Sequence, residues 1–153
     1  MTISFAVYDG LAKGIIAEKL SKIHRLSFQG SVEQIWTPVE ISSLLLNPDT
    51  RAMTIWQNAQ VTGFLMWRQA REEAEILTLC ILPAFRGQGM GSQILQKFYL
   101  LAAKNKIAEI FLEVRENNAA AISLYEKNAF KAVGRRKNYY SDKDALIMKY
   151  IMK

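Results

Sequence analysis

Ile76-Leu77-Thr78-Leu79-Cys80-Ile81-Leu82-Pro83 is followed, two residues on, by Arg86-Gly87-Gln88-Gly89-Met90-Gly91 and then by a stretch with helical spacing. This succession of apolar strand, glycine-rich loop and amphipathic helix decides how the chain is read. The three glycines let the backbone take positive φ or come close to a ligand. The helix that follows opens with N–H groups that have no acceptor within it, and the positive end of its dipole lies behind them. An anion set there meets several donors at once, so the loop is a candidate phosphate cradle, with Arg86 adding a charged donor. A bare pair of glycines would say little. The strand before and the helix after make the reading specific.

Upstream of the loop, Ile3 to Tyr8 reads as a strand. Leu11 to Phe28 carries Leu11, Ile15, Ile16, Leu20, Ile23 and Leu26 at helical spacing. Thr37-Pro38 opens a second helix. Thr37 is its N-cap, Pro38 takes the first position, and Glu40 completes a capping box. That helix stops at Asn47-Pro48, and Trp36, in the connection before it, is expected to be exposed. Ala52 to Gln57 and Val61 to Arg71 form a hairpin around Asn58-Ala59-Gln60. Ala74 to Leu82 is a near-continuous apolar run, expected to be covered on both faces.

Downstream, Ile94, Leu95, Phe98, Leu101 and Ala102 share one side of the helix after the loop. Ala108 to Arg115 alternates, with Ile110, Leu112 and Val114 on one face and Glu109, Phe111, Glu113 and Arg115 on the other. Asn118 to Lys127 is a short alanine-rich helix, and Phe130 to Lys137 and Ala145 to Met152 are closing strands around Asn138 to Lys143. The elements predict an α/β (α+β) fold in a single domain over residues 1–153. Its sheet is mixed and mostly antiparallel, with about seven strands flanked by about four helices. A parallel dinucleotide-binding unit would need a strand–helix–strand at the N-terminus, which is not evident.

Composition narrows the class further. Half of the 153 residues are apolar and 22% are charged, which marks a globular chain rather than a disordered one. No apolar run approaches the ~20 residues of a membrane span, and the first residues lack a signal-peptide pattern, so no membrane partner and a cytoplasmic location are expected. Cys80 is the single cysteine, which excludes an internal disulfide and suits a reducing compartment. With His24 as the single histidine, a His/Cys metal cage or a His-based triad has too few members, and no metal is expected. The net charge of +6 fits an anionic partner, whether nucleotide cofactor or RNA, and equally fits a plain basic surface.

Glu113 is the most telling side chain. A carboxylate in mid-strand is costly unless it is paired or its pKa is raised, so it is a candidate base or one half of an ion pair. Asn118, Ile122 and Tyr125 fall on one helical face, which lets Tyr125 look back at the strand carrying Glu113. Tyr125 is also a normal packing residue with its hydroxyl at a rim, and Asn118 a normal cap, with Asn117 as its competitor.

These residues carry a resemblance. Leu79 through Lys137 resembles the GNAT superfamily of acetyl-CoA-dependent N-acetyltransferases. The matching stretches are the loop Arg86 to Gly91, the strand Leu112-Glu113-Val114-Arg115, the run from Asn118 to Glu126, and Arg135 to Tyr140. Trp36-Thr37 is similar to the family's Trp-Ser pair. Within the superfamily the chain is similar to bacterial enzymes that acetylate the N-terminal alanine of a small-subunit ribosomal protein. The resemblance implies acetyl-CoA as co-substrate. Leu79, Cys80 and Ile81 would pair with the pantetheine arm, and Arg86, Gly87, Gln88, Gly89, Met90, Gly91 and Ser92 would hold the pyrophosphate. Asn118 would contact the coenzyme arm, Glu113 would be the general base and Tyr125 the general acid. One departure is Ala129, where the family usually has glycine before the aromatic, and this bears on the local turn.

The implied reaction is direct attack of an amine on the thioester in a ternary complex, so Cys80 is read as a buried strand residue and not a nucleophile. At pH 7.4 about a quarter of an N-terminal amine is neutral, against about 0.1% of a lysine, a difference of roughly 3.5 kcal/mol. That favours a protein N-terminus over a lysine, and no direct nucleic-acid partner is required. A small-molecule amine is the alternative acceptor. Acceptor residues would come from Gln29 to Thr37 and Asn138 to Lys143, with Arg135, Arg136, Lys137, Tyr139 and Tyr140 at the rim. A non-enzymatic alternative, a basic module binding RNA or ribosomes, leaves the glycine loop and Glu113 without a role.

Overall fold

The computed structural model describes residues 2–9, 15–31, 33–140 and 143–153, with backbone alone at 138–140. Its strands are β1 (Ile3–Tyr8), β2 (Thr50–Gln57), β3 (Gln60–Ala70), β4 (Glu73–Ile81), β5 (Glu109–Arg115), β6 (Lys131–Tyr140) and β7 (Lys143–Ile151). Its helices are α1 (Ile15–Phe28), α2 (Pro38–Leu46), α3 (Met90–Lys104) and α4 (Ala119–Lys127), and a 3-10 turn spans Pro83–Phe85. The strands form one sheet in the order β1-β2-β3-β4-β5-β7-β6. The pairs β1/β2, β2/β3, β5/β7 and β6/β7 are antiparallel, and β4/β5 is parallel. The α/β class, the element order and the mostly antiparallel sheet are those expected. Among the described residues no helix is long and apolar enough to cross a membrane.

Some boundaries differ. Residues 11–14, where the first helix was expected to begin, lie outside the described residues. The β2–β3 turn is shorter than expected and has Asn58 at φ +55°, a left-handed conformation that asparagine tolerates. Strand β6 continues to Tyr140 and β7 starts at Lys143, so most of the expected loop from Asn138 to Lys143 is strand. Residues 141–142 lie outside the described residues.

The chain divides into two compact units: Met1–Arg68 with Thr78–Ile94, and Gln69–Leu77 with Leu95–Lys153. In the first unit, Leu20, Ile41, Leu45, Met53, Ile55, Phe64 and Leu65 are fully buried. The α2 capping box forms as the sequence predicts. Glu40 N donates to Thr37 Oγ1 at 3.2 Å, and Thr37 N to Glu40 Oε1 at 3.4 Å. Trp36 is half-buried rather than exposed, because its ring stacks on His24 at 4.9 Å and 12°. Its N–H donates to His24 Nδ1 at 3.3 Å, and its carbonyl accepts from Ser21 Oγ at 2.7 Å.

Strand β3 carries a bulge. Ile55 faces Gly63 and Trp56 faces Val61, which leaves Thr62 as the extra residue. A Cβ on Gly63 would stand 2.3 Å from the carbonyl oxygen of Cys80, so only glycine lets the backbones approach this closely.

In the second unit, Leu95, Phe98, Ala102, Ile110, Leu112, Phe130 and Met148 form the core. Tyr99 is buried here and Leu101 is only half-buried, which rotates the expected apolar stripe of α3 slightly. The β4–β5 ladder spans Glu73↔Glu109 to Ile76↔Leu112, and β4 runs on to Ile81. Both faces of β4 were expected to be covered. Ala74, Ile76, Cys80 and Ile81 are buried, but Glu75, Leu77, Thr78 and Leu79 are half-exposed. The apolar run is therefore fully covered on neither face.

Candidate active site

The glycine loop takes the conformation its composition allows. Gly87 and Gly89 have φ +75° and +81°, and a Cβ placed on Gly87 would meet nothing within 4 Å. The glycines are needed there for backbone conformation rather than for close approach, since the space beside Gly87 is open. The first bond inside α3 runs from Gln93 N to Gly89 O at 3.0 Å. The N–H groups of Met90, Gly91 and Ser92 thus stand at the helix's positive end.

Met90 contributes only its backbone to this face. Its side chain is 2% exposed, and its sulfur accepts from the Thr62 hydroxyl at 3.2 Å. Gln88 lies in the exposed loop and donates to Ala84 O at 3.3 Å. Arg86 departs from the expected picture of a charge given over to the cradle. Its Nε donates to Ile81 O at 3.0 Å and its Nη2 to Ser27 O at 2.6 Å. The guanidinium thereby satisfies a carbonyl in the last turn of α1 and ties it to the end of β4.

Leu79 is half-buried, whereas Cys80 and Ile81 are buried. Burial pushes the Cys80 thiol up to about 12, against weaker opposing effects of the Thr78 hydroxyl, the Arg86 charge and the Ser27 hydroxyl. Cys80 therefore carries its proton near neutral pH.

In the second unit Glu113 is one-fifth exposed and faces an arginine. Arg136 Nη2 lies 2.6 Å from Glu113 Oε1. The same strand face carries a second ion pair, Glu109 with Lys149 at 3.5 Å, while Arg135 pairs with Glu116, just past the end of β5, at 3.5 Å. The ion pair expected for Glu113 is thus present. Arg135 and Arg136, read from sequence as groove-rim residues, each have a carboxylate partner.

Asn118, rather than Asn117, caps α4, with its Oδ1 accepting from Ala121 N at 3.2 Å. Tyr125 is 8% exposed and meets the Phe130 ring edge-on at 5.6 Å. Ala129 has φ +71°, the left-handed conformation that favours glycine. Ala129 N donates to Glu126 O at 3.1 Å and Phe130 N to Tyr125 O at 3.0 Å, the two bonds of a Schellman motif. The turn survives the departure from glycine.

Several residues that shape these features escaped the sequence reading. Thr62 and Gly63 carried only the weak signal of a glycine inside a strand pattern. Arg136 stood in a basic run that gave no hint of which carboxylate it faces. Tyr99, Gln96 and Asn128, which surround the last turn of α4, had no signal short of the fold itself.

Comparison with known proteins agrees with these features. The Acetyltransferase (GNAT) family model matches residues 17–130. The [ribosomal protein bS18]-alanine N-acetyltransferase of Haemophilus influenzae is 38% identical over 84 residues, 55% of this chain, and this chain spans 57% of that relative's length. The N-alpha-acetyltransferase RimI of Mycobacterium tuberculosis is 27% identical over 139 residues, covering 87% of this chain and 85% of that protein. In fold, the crystal structure of the Escherichia coli ribosomal-protein-S18-alanine N-acetyltransferase is similar with a TM-score of 0.85. That alignment covers 99% of this chain and 95% of the other at 24% identity. From the strand–loop–helix unit with its left-handed glycines, and from a family match that runs over most of its length, the chain belongs to the acetyltransferase (GNAT) family.

Proposed function

We propose that residues 1–153 act as one N-acetyltransferase domain that moves an acetyl group from acetyl-CoA to the N-terminal amine of a cytoplasmic protein. The acceptor we favour is the N-terminal alanine of a small-subunit ribosomal protein. The observation that carries this reading is the loop at 86–91, with left-handed Gly87 and Gly89, open space before Gly87 and the first turn of α3 behind it. That arrangement fits a pyrophosphate, which needs several backbone donors and a positive end.

The family's division of labour maps onto these residues. Gly87, Gln88, Gly89, Met90, Gly91 and Ser92 hold the pyrophosphate through backbone N–H groups, with Arg86 bracing the loop. Leu79, Cys80 and Ile81 offer backbone to the pantetheine arm, as an added strand would be paired. Asn118 Nδ2 serves the same arm, its Oδ1 being taken by the cap. Acetyl-CoA supplies the activated acyl group.

The amine nitrogen bonds to the thioester carbon as the carbon–sulfur bond breaks. Glu113 accepts the amine proton, with Arg136 holding the carboxylate, and Tyr125 gives its hydroxyl proton to the leaving sulfur. A backbone N–H of β4 meeting the oxyanion is worth about 3 kcal/mol when aligned. Cys80, protonated at working pH, takes no part in bond making. An N-terminal amine, titrating near 7.8, asks about 3.5 kcal/mol less of the base than lysine does.

The test is acetyl transfer to peptides that differ in their first residue, with lysine-containing peptides and polyamines as competitors. Peptides beginning with alanine are expected to have the highest kcat/KM. Equal or better turnover of lysine side chains or polyamines overturns the assigned acceptor, and no turnover of any amine overturns the activity.

A further inference from the structure

Asn128 is 6% exposed, yet each of its polar groups is engaged. Its backbone N–H donates to Tyr125 O at 3.0 Å and Leu124 O at 3.2 Å, and its Nδ2 donates to Leu124 O at 2.8 Å. Its Oδ1 accepts from Gln96 Nε2 at 3.1 Å, and its carbonyl accepts from the Tyr99 hydroxyl at 2.6 Å. The donors from Gln96 and Tyr99 lie on α3, and the acceptors Leu124 and Tyr125 lie in the last turn of α4. The side chain therefore bolts one helix to the other. A buried amide hydrogen-bonded through both its oxygen and its nitrogen is held in one geometry, because turning it away breaks both bonds.

The bolt is itself rigid. The Tyr99 ring lies flat on Tyr150 at 3.9 Å and 8°. Burial, with Tyr150 and Tyr125 nearby, raises the Tyr99 hydroxyl above its ordinary range, so it stays a donor at any working pH. On the other side of Asn128 stands Ala129 at φ +71°. A non-glycine residue in that region persists where its surroundings over-determine it. Here they do, since the bonds to Tyr125 O and Glu126 O and the Phe130 ring against Tyr125 close the turn from the far side.

We propose that Asn128, anchored by Tyr99 and Gln96, is a positioning residue for Tyr125: it clamps the turn that carries the Tyr125 hydroxyl and holds Ala129 in a place suited to glycine. This rests on the acid role proposed above for Tyr125. Displacing a reacting group by a fraction of an ångström lowers turnover without touching the binding of either substrate.

The experiment pairs acetyl-transfer kinetics with the ring NMR signal of Tyr125 in ¹³C-tyrosine-labelled protein, assigned from the spectrum of the Tyr125→Phe variant. Asn128→Ala is expected to lower kcat by about 10- to 100-fold, with the KM for acetyl-CoA within about twofold of wild type. The Tyr125 signal should shift or broaden. Tyr99→Phe removes one bond and keeps the ring stack, so it should show the same effects at about a third of the logarithmic size. Adding Ala129→Gly should restore part of the kcat lost in Asn128→Ala.

Should Asn128→Ala not fold, Tyr99→Phe decides by the same two readouts. Unchanged kcat and an unchanged Tyr125 signal in folded variants overturn the proposal, as does a loss confined to KM. If wild-type protein acetylates no amine, the reading of the activity fails. The Tyr125 signal then still tests the clamp, and its constancy in the variants overturns it.

Discussion

The loop at Gly87 to Gly91 and the turn at Asn128 to Phe130 both place residues in the left-handed region, and they do so by opposite means. At the loop, glycine occupies both positions, φ +75° and +81°, with open space before Gly87. Backbone freedom is the whole device, and in the function proposed here the space is left for the coenzyme. At the turn, an exposed alanine sits at φ +71° between the buried Asn128 and Phe130, held by the bonds that close the helix end. There the surroundings impose the conformation. A ligand cradle must keep its front clear and so relies on residue type; a helix end packed in a core can rely on its neighbours.

The largest expected effect separates the tasks assigned to the two regions. Tyr125→Phe should cut kcat by about 10²-fold or more, with acetyl-CoA affinity nearly unchanged, as steady-state kinetics and calorimetric binding would register. A variant that binds acetyl-CoA poorly but keeps its kcat would transfer Tyr125 from proton donor to binding residue.

The next effect concerns pH and the unit that holds the loop. Burial lowers the pKa of His24 to about 4, with the Glu40 carboxylate acting in the opposite direction. The unfolded histidine titrates near 6.5, so between about pH 6.5 and 4 the unfolded chain binds the extra proton first. The stability contributed by neutral His24 is then full above about pH 6.5 and is lost as pH falls to about 4, up to about 3 kcal/mol. Protonation also turns the Nδ1 acceptor of the Trp36 N–H into a donor. Urea unfolding of wild type and His24→Gln across this window should show a steeper acid loss for wild type. Parallel curves would assign the acid sensitivity to carboxylates instead.

Gly87→Ala sharpens the contrast directly. Since no atom blocks the new Cβ, the cost is conformational, about 1–2 kcal/mol, and acetyl-CoA should bind roughly tenfold more weakly. Gly87→Asn should fall between, asparagine being more tolerant of positive φ. Unaltered binding by Gly87→Ala would mean that the loop does not need its left-handed turn.

The smallest effect has the opposite sign. Ala129→Gly relieves strain but adds freedom to the unfolded chain, for a net gain of about 0.5–1 kcal/mol. Thermal unfolding should show a Tm higher by about 1–3 °C. A lower Tm would show the alanine to be comfortable where it stands.

Much of this was legible because the signals are local. The capping box at Thr37 and Glu40, the alternation at Ile110, Leu112 and Val114, and the glycines at 87 and 89 all act within a few residues of themselves. Trp36 was misread as exposed because its cover, His24, lies one helix away and is not hydrophobic. Strand β4 was misread as covered on both faces because an apolar run reports affinity for cover, and half of its residues remain partly open. Arg86 was expected to serve the anion, yet its nearest acceptors are carbonyls of Ser27 and Ile81, which only folding brings within reach.

The sequence by itself determined the order of elements, the sheet class, the glycine cradle and the family to which the chain belongs, because spacing, caps and left-handed glycines are written in adjacent residues. Tertiary structure alone decided that Glu113 faces Arg136, that Gly63 lets β3 come against Cys80, and that Asn128 joins α3 to α4. Each of those joins groups far apart in the chain. A hydrogen bond or ion pair of about 3 Å depends on packing distances that no local pattern encodes.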